Sequence, residues 1–364
     1  MNLRNPWSTN DRGIALIIVM MVVVVLGVLA AGFAYSMKVE TKLARNVSHE
    51  GQLEWLGRSG VELARYVLAQ QKNIPGEQGF DALNQVWAGG PPSTNELLMG
   101  IHLLDNELGQ GSFSVRITDL ERKFNINLAT PAILQRAVDL LQVDSVDAAT
   151  IVDSIEDWKD PLDDPHVSGT ESDYYLGLPE PYVAKNGPLD HLSELLLIRG
   201  ITPSMYWGAA SPGLAPAEPV PSPTSVRFGP LASLESQRPR VGFVDLFCTL
   251  GRLQVNVNTA SPDVLLLLPG MDENLARGIV LMRAGPDGVD GTEDDTPLHS
   301  PGELINVPGM IPLFVQQLQA FASVQSFTFE VRVDVTVDQY HRTFVALLTR
   351  LGSRNVQILN SHWD

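Results

Sequence analysis

The feature that most constrains this chain is a run without charged side chains at residues 14–37. As an α-helix rising about 1.5 Å per residue, the run would extend about 36 Å, which exceeds the roughly 30 Å hydrocarbon core of a bilayer. The run is therefore a secretory signal, an uncut membrane anchor, or a segment that is processed and then kept.

The residues after this run favour its retention. A cleavable signal has a shorter apolar region followed by small residues. Ala30, Ala31 and Gly32 would supply these, so that alternative stays open. However, no turn-forming residue follows, and apolar residues continue at helical spacing to about Gln71. We therefore predict one long helix that is first membrane-spanning and then amphipathic.

The tripeptide DRG, which ends at Gly13, precedes the run and resembles the end of a prepilin leader. In prepilins a peptidase on the cytoplasmic side cuts after the glycine, and the apolar segment stays with the mature protein. By that resemblance Gly13 is the last leader residue and Ile14 the new N-terminus; an uncut anchor remains the alternative. Most prepilins carry glutamate at the fifth mature position, where this chain has Ile18.

The net charge of the chain limits the classes of molecule that it can bind. The 364 residues have a formal net charge of −17, which suits the phosphate backbone of nucleic acids poorly and disfavours them as partners. Divalent cations are better candidates, because hard cations bind clustered carboxylates. Cys248 is the single cysteine, which excludes an intrachain disulfide and a Cys-based metal site. No motif of a known catalytic site is present, so no enzyme is predicted.

Alternating apolar and polar residues predict strands at both ends of the region after the helix. The segment GSFSVRITD at 111–119 has the period of a half-buried strand, and residues 72–110 before it form an irregular connection. From about residue 326, two alternating runs joined at DQYH predict a hairpin, and NVQILNSHWD is a candidate last strand. The region between these strands has helical character, so a helical domain interrupts a sheet.

The middle region contains a diverged duplication. The segment at 125–134 corresponds to 256–265, and the segment at 193–202 corresponds to 302–311. In the first pair, Thr130 or Ser261 is placed to cap a helix that starts with proline. We predict two related helical units. A segment rich in Pro, Ala and Ser, at about 208–240, is predicted to be the linker that separates them.

Two segments of this region, 265–283 and 304–318, look like helix-hairpin-helix units with a Pro-Gly turn. In DNA-binding relatives the backbone N–H groups of the turn hold phosphate, with support from basic side chains. Here acidic residues outnumber basic ones around the turns, which favours a packing role over DNA binding.

Two loops are dense in carboxylates. Carboxylates this close repel one another unless a cation lies among them, and calcium takes six to eight oxygens from such loops. The first loop spans 156–175, and its aromatic residues indicate that it is folded, although a solvated acidic loop is the alternative. The second loop spans 285–297 and departs from the EF-hand pattern; its candidate ligands are Asp287, Asp290, Glu293, Asp294 and Asp295.

Taken in order, the DRG/IALIIV junction, FSVRITDLERKFNIN, the stretch from EDWKDP to ITPSMY, and VNVNTASPDVLLLLPGM resemble the general secretion pathway protein K family, minor pseudopilins of type II secretion systems. The resemblance covers nearly the whole chain. It implies an α+β, pilin-like fold in which a long N-terminal helix packs on an antiparallel sheet. A large all-α domain with two helix-hairpin-helix-like repeats is inserted in that sheet.

The resemblance also implies domain limits. These are a leader at 1–13, a transmembrane segment at 14–37, the pilin helix and first strand at 38–122, the inserted helical domain at 123–322, and the C-terminal strands at 323–364.

The function implied by the resemblance is that of a non-enzymatic subunit at the tip of a periplasmic pseudopilus. The chain would be anchored once in the inner membrane of a Gram-negative bacterium and would nucleate or cap assembly with two other minor pseudopilins. Prepilin peptidase is a further implied partner, with secreted cargo or the outer-membrane secretin as candidates. Ile18 suits a first subunit, because the usual glutamate is thought to pair with a neighbour's N-terminus. The alternative is a DNA-binding minor pilin of a type IV pilus or competence system.

The family also binds calcium in the inserted domain. Carried over to this chain, the resemblance implies the ligands Asp160, Asp163, Asp164, Glu171 and Asp173. Leu162 stands where the family often has a further aspartate.

Overall fold

The computed structural model describes residues 11–208 and 241–364, and within the first helix it describes side chains at 15–42 and from residue 49 onward. Helix α1 (Asp11–Gln71) is continuous over 61 residues, which confirms the predicted single helix. Its segment Ala15–Lys42 is apolar and long enough to cross a membrane, and every side chain there is exposed. Residues 1–10 of the predicted leader lie outside the described residues.

After α1 the chain forms turns and one 3-10 helix, Val86–Ala88, and then the hairpin of strands β1 (Asn106–Leu108) and β2 (Gly111–Asp119). In β2 the residues Phe113, Val115 and Ile117 are buried, as the alternation predicted. Strand β1 was not expected, because its three residues are too few and too exposed to show a period.

The first helical unit begins with strand β3 (Phe124–Asn125) and ends with strand β4 (Phe247–Cys248), and the two strands pair in parallel. Between them lie α2 (Pro131–Leu140), α3 (Ser145–Lys159), α4 (Ser172–Leu176), the 3-10 helix Leu192–Leu197, α5 (Pro203–Trp207) and α6 (Phe243–Leu246).

Residues 209–240, most of the predicted linker, lie outside the described residues. The prediction that the linker separates the two units is wrong, because α6 and β4 follow it and still close the first unit. A parallel pair of two-residue strands leaves no periodic pattern in the sequence, so its partner could not be inferred.

The second unit repeats this plan. Strand β5 (Val255–Asn256) pairs in parallel with β6 (Ala322–Ser323). Between them lie α7 (Pro262–Leu265), α8 (Glu273–Arg283), the 3-10 helix Pro301–Asn306 and α9 (Pro312–Leu318).

The predicted duplication holds at the level of single hydrogen bonds. Thr130 Oγ1 accepts from Ile133 N at 3.4 Å, and Ser261 Oγ accepts from Val264 N at 3.3 Å, so both caps are confirmed. In the first unit the side chain of Asn127 both accepts from Leu189 N and donates to Leu189 O, and Asn258 forms the same two bonds with Leu298 in the second.

The chain then returns to the sheet through β7 (Thr328–Val337), β8 (Tyr340–Gly352) and β9 (Asn355–Trp363). The sheet is antiparallel with the order β1-β2-β7-β8-β9, which confirms the predicted hairpin and last strand. The second half of α1 packs across this sheet through residues such as Leu53, Val67 and Leu68, while the inserted units form a second apolar core of their own.

Candidate functional site

The first acidic loop is built around a buried carboxylate, Asp157, on the last turn of α3. Its side chain accepts hydrogen bonds from the backbone N–H groups of His166 and Thr170 and contacts the His166 ring. Gly169 fits only because it has no side chain, since a Cβ there would lie 1.9 Å from Asp157 Oδ2. The loop after α3 is therefore folded tightly onto Asp157.

A possible metal position lies beside this carboxylate. Ligand atoms of Asp157, Asp160 and His166 lie within 4.8 Å of one another, and no other group of this kind occurs in the described ranges 11–208 and 241–364. Because Nδ1 of His166 is already engaged with Asp157 and calcium prefers oxygen, we interpret His166 as holding Asp157 in place.

Glu171 is the buried carboxylate in this loop whose oxygens have no hydrogen-bond partner. Its side chain is 5% exposed, and neither carboxylate oxygen has a hydrogen-bond partner. Burial, followed by the nearby charges of Asp157, Asp160 and Asp163, raises the pKa of Glu171 to about 7. A cation would remove this cost, because it would neutralise the repulsion and supply the missing partner. The donor set is thus one that fits calcium.

The five predicted ligands are placed as follows. Asp160, Asp163 and Glu171 lie in one electrostatic neighbourhood. Asp173 shares a cavity of about 220 Å³ with Asp163 and Glu171, and Asp164 is exposed on the same loop. Asp157 belongs to the acidic loop predicted at 156–175 but was not among its predicted ligands, because a carboxylate inside a helical segment looks like a surface residue until its burial is known. Its spacing of three residues from Asp160 is the only signal that could have found it.

The second acidic loop has a different organisation. Both oxygens of Asp290 pair with the Arg283 guanidinium, at 2.9 and 2.8 Å, so the structure gives Asp290 an ion pair where a ligand was predicted. The carboxylates of Asp287, Asp294 and Asp295 accept hydrogen bonds from within the loop. Glu293 is exposed. A calcium ion bound by this loop alone stays a prediction.

The helix-hairpin-helix units have the geometry of packing elements. Arg283, at the end of α8, is 4% exposed and donates to the carbonyls of Val257 and Ala260 as well as to Asp290. Arg277 and Arg283 are the basic side chains near the first Pro-Gly turn, and of these Arg283 is used inside the protein. This arrangement gives the DNA-binding alternative no support.

A buried polar network joins the inserted domain to the sheet. At the end of β2, Asp119 Oδ2 accepts from Ser326 Oγ at 2.6 Å and from Thr259 Oγ1 at 2.5 Å. Nearby, Asp81 accepts from Arg350 at 2.6 Å and from Lys72 at 3.1 Å. Burial, with a contribution from Glu121, raises the pKa of Asp119 to about 7. No sequence pattern indicated this network, because its members come from distant segments.

Comparisons with known proteins agree on one family. The sequence model for type II secretion system (T2SS) protein K matches residues 115–210. Type II secretion system protein K of Aeromonas hydrophila is 27% identical over 213 residues, covering 55% of this chain and 62% of that protein. The protein of the same name from Klebsiella pneumoniae is 25% identical over 277 residues, covering 72% of this chain and 70% of that protein. The chain thus spans about three fifths of the length of the Aeromonas relative.

A solved structure shares the fold. It is the crystal structure of the GspK-GspI-GspJ complex from the type 2 secretion system of enterotoxigenic Escherichia coli. One of its chains matches with a TM-score of 0.61 at 21% identity, covering 88% of this chain and 99% of that chain. Together with the sheet, the long helix and the inserted helical region described above, this match shows a pilin-like fold with an inserted helical domain.

Proposed function

The chain belongs to the protein K family of type II secretion systems, and we propose that it is a non-enzymatic minor pseudopilin at the tip of a periplasmic pseudopilus. The observation that carries this proposal is that the two halves of α1 have different surfaces. The uncharged part of its membrane-length segment, residues 15–37, exposes a lipid-compatible surface, whereas its second half is packed on the sheet. A helix built in this way can anchor a folded domain in the inner membrane and also stack beside the helices of other subunits.

Processing after Gly13 is part of the proposal. Helix α1 begins at Asp11 and runs through the Gly13–Ile14 bond, so a cut there would leave the apolar segment intact on the mature protein. Mass spectrometry of the protein from cells with an active prepilin peptidase should give Ile14 as the first residue. Recovery of the chain with its leader attached would contradict processing.

We place the chain at the tip because of Ile18. Its side chain is 56% exposed on the apolar surface of α1, and it offers no carboxylate to a neighbour's N-terminus. A first subunit has no subunit above it, so it needs no carboxylate at this position. We expect Ile18→Glu to leave the folded domain unchanged and to weaken pseudopilus initiation in a secretion assay. Unchanged secretion would count against a role for this position.

The proposed partners are two other minor pseudopilins, since the solved structure that shares this fold is a complex with GspI and GspJ. Co-expression with the neighbouring minor pseudopilins of the same genome, followed by size-exclusion chromatography, should give one complex. Elution of this chain alone would overturn the proposal. Prepilin peptidase, secreted cargo and the outer-membrane secretin remain predicted partners.

We propose further that calcium binds the first acidic loop, held by Asp160, Asp163 and Glu171 with Asp157 beneath them. Calcium binding only the native state would stabilise it by about 2.7 kcal/mol at 100 times its Kd. A chelator should therefore lower the Tm of the protein. In Glu171→Gln the chelator effect should become clearly smaller, because the first loop no longer binds calcium, while the control Asp164→Asn should retain most of it. A Tm insensitive to chelator in all three proteins would contradict calcium binding at this loop.

A further inference from the structure

A polar cavity of about 330 Å³ lies between the pilin domain and the second acidic loop. The pilin side supplies Gln71 at the end of α1, together with Glu77 and Asn84 from the turns that follow. The inserted domain supplies Thr292 and Glu293. The cavity is thus formed by chain segments more than two hundred positions apart in the sequence.

Two amide oxygens at this cavity have no hydrogen-bond partner. Gln71 is 1% exposed and its Oε1 is unpaired, and Oδ1 of Asn84 is buried and unpaired as well. The Gln71 amide cannot simply be turned over, because its Nε2 donates to Glu77 and an oxygen in that place would face a carboxylate. An unsatisfied buried acceptor costs about 1–3 kcal/mol, so two at one cavity indicate a missing partner.

The charge of the residues around the cavity indicates what kind of group could be that partner. Two carboxylates, Glu77 and Glu293, border the cavity, and none of the residues lining it is basic. The nearest basic side chains in sequence are committed elsewhere, Lys72 to Asp81 and Arg283 to Asp290. Water could satisfy the amide oxygens and hydrate the exposed Glu293, but it would leave the two carboxylates without a counter-ion. A hard divalent cation would satisfy both, because it binds carboxylate and amide oxygens together.

We infer that this cavity binds a divalent cation that bridges the pilin domain and the inserted domain. Because the available donors are all oxygen atoms, the cation that fits is calcium. The site is distinct from the first acidic loop and takes only Glu293 from the ligands predicted for the second. The loop lies close to the pilin side, since a Cβ added to Gly291 would lie 3.6 Å from the carbonyl oxygen of Leu83. A cation here would fix the orientation of the inserted domain relative to the sheet.

Calcium titration of the full-length protein in detergent micelles tests this inference. The Glu171→Gln background is used so that the cavity is measured apart from the first acidic loop. With calcium alone as the probe, Glu77→Gln and Glu293→Gln should each weaken the remaining site by about tenfold or more, since calcium affinity follows ligand charge. The matched control is Glu96→Gln, an exposed glutamate on the same segment as Glu77.

A second variant separates binding from folding. Gln71→Leu removes the unpaired oxygen together with the hydrogen bond to Glu77, so the measurement that decides is the increase in Tm on adding calcium, which should be lost. A merely structural Gln71 would change the calcium-free Tm and leave that increase intact. Equal calcium titrations for Glu77→Gln, Glu293→Gln and Glu96→Gln would overturn the inference and leave a water-filled cavity. This comparison does not depend on the secretion role or on binding at the first loop.

Discussion

At the scale of single residues, Asp119 has the most unusual environment in the junction between sheet and inserted domain. The side chain is 2% exposed, with the buried Glu121 nearby. Its pKa is raised from 3.8 to about 7, mainly by burial. A raised carboxyl pKa in the folded state means that the native protein holds a proton that the unfolded chain releases. The stability from this proton is present in full below the ordinary pKa and is lost as the pH rises through about 7.

Replacing Asp119 tests this dependence. In the Glu171→Gln background with chelator present, we expect Asp119 to contribute a decrease in the unfolding free energy as the pH rises from about 4 to about 7. Asp119→Asn, which keeps an oxygen to accept from Ser326 and Thr259, should reduce that slope. The control Asp139→Asn, at an exposed position of α2, should retain it. Denaturant titrations at a series of pH values give the comparison, and equal slopes in all three proteins would contradict the raised pKa.

At the scale of elements, the contact between α1 and the sheet depends on a close approach at Gly60. A Cβ at this position would lie 2.4 Å from Cγ1 of Val333 and 3.2 Å from Phe113. Glycine in a helix interior costs about 0.5–1 kcal/mol relative to alanine, so its presence here indicates that packing outweighs helix propensity. Gly51 lies in the same helix with no neighbour within 4 Å of its Cβ position.

These two glycines give a matched pair of variants. Gly60→Ala should destabilise the protein by about 1–3 kcal/mol, because the added methyl group forces Val333 and the helix apart. Gly51→Ala should stabilise it by up to about 1 kcal/mol through helix propensity alone. Thermal unfolding of both variants under the same conditions measures the difference. A stabilising Gly60→Ala would mean that α1 lies further from the sheet than the structure places it.

At the scale of the whole molecule, the described residues on either side of the segment 209–240 meet within the first unit. A Cβ on Gly208 would lie 2.4 Å from the backbone N of Gly242, and β4 beyond the segment pairs with β3 before it. The described residues on either side are therefore already in contact, independently of what connects them.

Replacing residues 209–240 by four Gly and Ser residues should leave the fold intact, because a short connection can span ends that already touch. We expect a Tm within a few degrees of that of the parent protein and unchanged co-elution with the other minor pseudopilins. Loss of folding would show that the segment contributes to the core. Loss of co-elution with an unchanged Tm would assign it to the partner interface.

Local pattern determined a large part of this protein. The apolar run and its continuation predicted α1, period-two alternation predicted β2 and the strands after residue 326, and the Thr130 and Ser261 caps followed from residue type and spacing. These features depend on residues close together in the sequence. Carboxylate density likewise predicted calcium in the first loop, and this stays a prediction, with the buried Asp157 outside the predicted ligand set.

Only the tertiary structure decided which distant residues meet. It paired β4 with β3, which lies on the other side of the segment 209–240 in the sequence. It also formed the ion pair between Asp290 and Arg283 and buried Asp119 between two domains. It also brought Gln71 and Glu293 to the same cavity. Burial and electrostatic environment depend on three-dimensional neighbours, so neither the raised pKa values nor the unpaired oxygens could be inferred from residue type and spacing alone.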